Sequence, residues 1–155
     1  WSNRRIWDPD RDPPRQVSDR DLEHLRALYR GEVAWTDQAI GAILDELERA
    51  GRLERTLVLV TADHGEEFFE HGRKGHQRTL FEEVVRIPLV FHWAGRLGAA
   101  EAAPAPVEVA TQVRLVDVMP TLLALCGIED VPSVNGRDLS PALHGGTLPE
   151  EPALS

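Results

Sequence analysis

Asp63 and His64 stand side by side directly after Thr56-Leu57-Val58-Leu59-Val60-Thr61, an aliphatic run with no polar alternation. One carboxylate oxygen and one imidazole nitrogen presented from a rigid strand end make a sensible ligand pair for a hard or borderline divalent cation. The same two residues also fit a plainer arrangement, an aspartate capping the next turn with an exposed histidine beside it. The residues that follow favour the first reading. Glu66, Glu67, Glu70, His71, Lys74 and His76 gather on one short stretch with glycines at 65, 72 and 75. A charged loop can owe its composition to solvent alone, so the order of the surrounding segments has to decide.

The elements that must position these residues are readable from their periodicity. Ser18 with Asp21 is a capping arrangement, and Leu22, Leu25, Tyr29, Val33, Ile40, Ile43 and Leu47 keep a three-or-four spacing up to Gly51. This predicts one amphipathic helix of about 30 residues ending at a glycine. The run Thr56 to Thr61 predicts a strand buried on both faces, as in a parallel sheet. A functional loop extends to His76, followed by a helical turn around Thr79 to Val84 and a strand over Ile87 to Phe91 with its proline at the start. Residues 97–106 read as a low-complexity surface loop, Val107 to Thr111 as a further strand, and Leu115 to Cys126 as a helix closed by Gly127. The segment from Pro141 is expected to fray. The sequence divides into a linker or surface loop over 1–17, one domain portion over 18–145 and a tail over 146–155. Helix, strand, loop, strand, helix is an α/β pattern without internal repeats. In open α/β sheets ligands sit beyond the carboxyl ends of strands, which is where Asp63 and His64 fall.

Composition excludes several functions. The 155 residues carry 26 acidic and 17 basic side chains, a formal charge of -9, against the basic surface that nucleic acid or anionic membrane demands. An anionic substrate would need local help from a metal or a few cations. Cys126 is the single cysteine, so neither an internal disulfide nor a cysteine-built zinc site can form within the chain. It lies in an apolar run and is expected in the core. No apolar run is long enough for a membrane helix. The polar, proline-bearing start without an initiating Met reads as the middle of a longer protein.

The order of motifs resembles the C-terminal half of the sulfatase family, within the alkaline phosphatase superfamily. The matching stretches are Asp37-Gln38-Ala39-Ile40-Gly41, Thr61-Ala62-Asp63-His64-Gly65-Glu66, Glu70-His71-Gly72, Gly75-His76, Leu80-Phe81-Glu82-Glu83 and Arg86-Ile87-Pro88-Leu89. Val116-Asp117-Val118-Met119-Pro120-Thr121, Cys126-Gly127-Ile128 and Gly136-Arg137-Asp138-Leu139 complete the set. The resemblance implies an alkaline-phosphatase-like fold, a mixed and mainly parallel sheet with flanking helices, of which this chain is a C-terminal fragment. It implies a metal-dependent hydrolase of sulfuric esters.

By position, Asp63 and His64 match metal ligands of the family, and His76 matches a basic residue that contacts the substrate's oxyanion. Lys74 is the second candidate for that contact, His71 has a structural part, and Asp117 orients a helix. The implied ion is calcium or manganese, ahead of zinc. The implied partners are an anionic ester, small molecule or glycan, and the missing N-terminal half, which would supply the nucleophile and two further aspartate ligands. On that basis the chain alone should neither hydrolyse esters nor hold its metal tightly. Phosphonate monoester or phosphodiester hydrolysis, a phosphoethanolamine-type transfer, and a non-catalytic module are the alternatives. At Phe69 the sequence departs from the glycine usual in the family, which leaves the path of the loop open.

Overall fold

The computed structural model describes residues 17–94, 96–97, 106–128 and 133–152. The chain divides into two compact units, one formed by residues up to Gly51 with Thr61–Pro88, the other by Arg52–Val60 with residues from Leu89 onward.

In the first unit, helix α1 spans Asp19–Arg49 and is about 46 Å long at 1.5 Å per residue. Ser18 caps it by accepting the Asp21 N–H at 3.2 Å. At the other end Ala50 donates to Glu46, and Gly51 takes φ +63°, a conformation that costs glycine little. The apolar stripe read from the sequence is there, yet only Leu25 of α1 is buried, and Leu28, Val33, Trp35 and Ile43 are exposed. Strands β2 (Glu67–Phe68) and β3 (Lys74–Gly75) form an antiparallel hairpin, and the short helix α2 covers Glu82–Val85. The helical turn expected at Thr79 to Val84 thus starts later, where Phe81 O accepts the Val84 and Val85 N–H groups.

The second unit opens on a 3-10 turn at Leu53–Arg55. Thr56 closes this turn, its N–H donating to Leu53 and its hydroxyl to Arg52, so strand β1 begins only at Val58 and ends at Thr61. It pairs with β4 (Leu89–His92) in a two-stranded sheet. The expectation of a strand buried on both faces is corrected: within this chain β1 is half-buried and Thr61 is exposed. Residues 107–111 form no strand. A 3-10 turn at Leu115–Asp117 leads into α3 (Val118–Leu125), and Gly127 follows at φ +67°. Pro120 is tolerated because it sits in the first turn of α3, where no helical N–H bond is lost.

The buried residues described in this unit are Asp117, Thr121, Leu139 and Ala142, two polar and two apolar. Asp117 is fully buried and accepts from the Arg114 and Arg137 N–H groups, each at 3.0 Å, and from the Arg114 guanidinium at 2.9 Å. Thr121, also fully buried, donates to Asp117 O at 2.6 Å and accepts the Leu139 N–H at 2.9 Å. Gly136 (φ +92°) passes so close that a Cβ there would lie 2.3 Å from Val116 O. The segment from Pro141, expected to fray, forms α4 (Ser140–Leu143) with Ala142 buried, and Glu151 pairs with Arg114 at 2.7 Å. Cys126 is exposed at the end of α3, not in a core as its apolar neighbours suggested.

Candidate metal and anion site

The site lies in the first unit, on the stretch from Ala62 to His76. Its entry is fixed by Gly65, whose N–H donates to Val84 O at 2.7 Å. A Cβ at Gly65 would lie 2.1 Å from Glu83 O, so this close approach requires glycine. The β2–β3 register then sets every side chain that follows. Glu67 stands opposite Gly75 and Phe68 opposite Lys74. Facing a residue without a side chain, Glu67 turns inward and is fully buried. It accepts the His71 N–H and the Thr79 hydroxyl, each at 3.1 Å, as a buried carboxylate must.

The turn between the strands answers the question raised by Phe69. This residue adopts φ +69°, the left-handed conformation that a glycine would take freely, with Phe69 N–H bonded to Arg73 O at 2.7 Å. A bulky side chain there costs roughly 1–2 kcal/mol. The turn is held against α1 by two contacts: the Arg26 guanidinium donates to Glu70 at 2.9 Å, and the Tyr29 and Phe68 rings meet edge to face at 5.2 Å. Burial pushes the Glu70 carboxyl up, but the N–H groups of Glu70 and Phe68 and the Arg26 guanidinium outweigh it and leave it below the ordinary glutamate value. His71 stacks on Phe81 at 3.6 Å, with Nε2 3.3 Å from a Glu83 oxygen.

Continuing the hairpin register by one pair puts Glu66 opposite His76, and the two meet, His76 Nδ1 lying 2.8 Å from Glu66 Oε2. A carboxylate only accepts, so Nδ1 carries the proton and Nε2 of a neutral His76 is left as the free lone pair. His64 is fixed in the same way. Its Nδ1 lies 2.9 Å from Gly65 O, a carbonyl that can only accept, so its Nε2 is also the unprotonated nitrogen. Asp63 Oδ1 sits 3.6 Å from that Nε2 and takes the His64 backbone N–H at 3.0 Å. The Asp63 side chain is 88% exposed and free to move onto a ligand. The His64 and His76 rings stack at 3.6 Å, 19° from parallel.

The structure therefore brings Asp63, His64 and His76 together in sequence of contact. Lys74 lies in β3 opposite Phe68 and is half-buried. The residue that sequence reading left without a role is Glu66, the partner of His76. The signal for it was the hairpin itself, since two residues equidistant from a turn face each other.

Residues 3–128 match the profile of the family described as Sulfatase. The chain is 31% identical to Arylsulfatase K of Mus musculus over 136 residues, 88% of this chain and 23% of that protein. It is 30% identical to the phosphonate monoester hydrolase of Silicibacter pomeroyi, with a TM-score of 0.71 over 86% of this chain and 25% of that one. With the Agrobacterium radiobacter phosphonate monoester hydrolase the identity is 32% and the TM-score 0.71, over 84% and 25%. The chain thus spans about a quarter of the length of these relatives, in the C-terminal portion of their shared fold. On the family profile and these likenesses together, the chain belongs to the sulfatase family.

Proposed function

We propose that this chain supplies part of the metal and anion site of a sulfuric ester hydrolase. Asp63 and His64 would hold a divalent ion, calcium or manganese before zinc, through a carboxylate oxygen and Nε2. The donors fit: His64 is held in the tautomer that leaves Nε2 open, and Asp63 Oδ1 is 3.6 Å away on an exposed side chain. When bound, such an ion polarises an ester oxygen and activates a nucleophile. The chain's own residues do the rest by position. Glu66 holds His76 by its Nδ1, directing Nε2 outward to donate, when protonated, to an oxyanion. Lys74, two residues before His76, is the second cation for that anion. The nucleophile and the remaining carboxylate ligands would come from sequence outside this chain.

The observation that carries this reading is the contact series Asp63, His64, His76. A second reading, phosphonate monoester hydrolysis, is favoured by the two solved hydrolases at 30% and 32% identity, which act on that ester by name.

Manganese titrated into the chain should broaden the NMR signals of Asp63 and His64 first, then His76, and Asp63→Ala should abolish the effect. Broadening centred elsewhere would overturn the metal assignment. Assaying the longest natural protein containing this chain with a chromogenic sulfate and a phosphonate monoester decides between the esters. The chain by itself should turn over neither, since it lacks the nucleophile that the family uses.

A further inference from the structure

His64, Glu66 and His76 each offer a donor atom, and the three atoms lie within 4.8 Å of one another. Two imidazoles and a carboxylate suit a borderline ion of the zinc type, whereas the oxygen-rich sets preferred by calcium are different. We propose that these three residues form a transition-metal site of their own, alternative to the Asp63–His64 pair.

The proton on His76 Nδ1 marks where the ion would go. Nδ1 and Glu66 Oε2 are 2.8 Å apart along that hydrogen bond. An ion bound between them takes the place of that proton, which moves to Nε2 by exchange with solvent so that the ring stays a neutral imidazole, and the two atoms separate to about 3.3 Å, the donor spacing of a tetrahedral zinc site with bonds near 2.0–2.1 Å. His64 adds Nε2, the nitrogen its Gly65 carbonyl contact leaves unprotonated. The stacked rings, 19° from parallel, have lone pairs running side by side, so a shared ion requires them to tilt together. Rotation about χ2 of histidine is soft and supplies that tilt. The fourth position is left to water.

The scaffold beneath these donors is already fixed. Gly65 is pinned to Val84 O, and the hairpin is locked from within by Glu67, through His71 N–H and the Thr79 hydroxyl. Preorganisation of this kind lowers the ordering cost of binding. Asp63 is not a member of the set, and Glu66 and His76 are not part of the pair, so each site has residues that the other lacks.

The consequence for activity rests on the function proposed above. Both sites need the Nε2 of His64. The two occupancies exclude each other, which makes zinc an inhibitor of an enzyme running on calcium or manganese.

The test is cobalt titration of the chain, followed by its visible spectrum, with zinc displacement measured by calorimetry. One cobalt per chain should bind with the intense absorption of a four-coordinate site. Glu66→Gln and His76→Gln should each weaken binding by about tenfold or more, the scale seen when the immediate surroundings of a metal are altered. Asp63→Asn and His71→Ala should leave it unchanged. Circular dichroism checks that each variant is folded, and Glu66→Gln, equal in size, keeps the test meaningful if a histidine variant is not. No saturable binding, or a six-coordinate spectrum indifferent to Glu66→Gln, overturns the proposal. Loss on Asp63→Asn alone also overturns it while leaving the Asp63–His64 pair intact, whereas failure of the manganese experiment leaves this site standing.

Discussion

Each unit closes around a fully buried carboxylate, and the two are satisfied by opposite means. Glu67 takes only neutral donors, a backbone N–H and a hydroxyl. Asp117 takes two backbone N–H groups and the Arg114 guanidinium, with Arg137 Nε at 3.9 Å and Glu151 completing the cluster. Burial pushes the Asp117 carboxyl up, but the Arg114 contact and the two N–H groups outweigh it and hold it below the ordinary aspartate value. The contrast shows what each carboxylate is for. Asp117 ties together the start of α3 and the segment at Arg137, far apart in sequence. Glu67 braces the far face of the hairpin that carries Glu66 and His76, without bringing a cation next to the site.

The largest expected effect separates the two directly. Asp117→Asn puts an amide donor against arginines and should cost about 3 kcal/mol, at the low end for a broken buried pair because Arg114 is a quarter exposed. Hydrogen exchange of the Leu139 N–H, bonded to Thr121 in the same cluster, reads it. A loss below about 1 kcal/mol would mean the arginines contribute shape more than charge.

Acid should act on the same unit. Because the folded-state pKa of Asp117 lies below its unfolded value, its stabilising contribution is complete above about pH 4 and is lost as pH falls through the folded pKa. Leu139 protection should decline over that range in the natural chain and become flatter in Asp117→Asn. An unchanged profile would place the acid sensitivity elsewhere.

Glu67→Gln is expected to cost less, about 1 kcal/mol, since its partners are neutral and the Thr79 hydroxyl can turn to accept from the amide. The readout is exchange of the Gly65 N–H in the first unit. A cost equal to that of Asp117→Asn would erase the distinction between the two carboxylates. The smallest change is a gain: Phe69→Gly relieves the left-handed φ but loosens the unfolded chain, leaving a net stabilisation under about 1 kcal/mol in thermal unfolding.

How much of this was legible in the sequence depends on the range of the interactions that decide it. The ends of α1 follow from Ser18 and Gly51, and both caps are local, so the helix matches its expectation closely. The start of β1 does not follow from propensity, because Thr56 is spent on closing the turn at Leu53–Arg55. The order after Pro141 depends on Arg114 reaching Glu151 and Arg137 reaching Pro149, contacts that no local pattern displays. Exposure of Cys126 and of the apolar stripe of α1 also lies beyond periodicity, which tells which residues share a face but not what covers it. At the site, the adjacency of Asp63 and His64 and the gathering of charge around them were visible. The Glu66–His76 pairing was not, since it needs the register, and the register hangs on a turn through Phe69 that propensity would not assign.

That hairpin register has a consequence for how the protein can change its length. Removing or inserting a single residue between Phe69 and Arg73 would shift the pairing by one, and in a strand a shift of one exchanges the two faces. Glu66 would then point into the interior, where nothing is placed to receive it, and Glu67 would come out beside a histidine it was never set to hold. Changes of two residues would keep the faces and alter only the reach of the turn. Single-residue insertions or deletions at the tip are therefore more disruptive than changes of two, and related chains should differ there in turn length by even numbers.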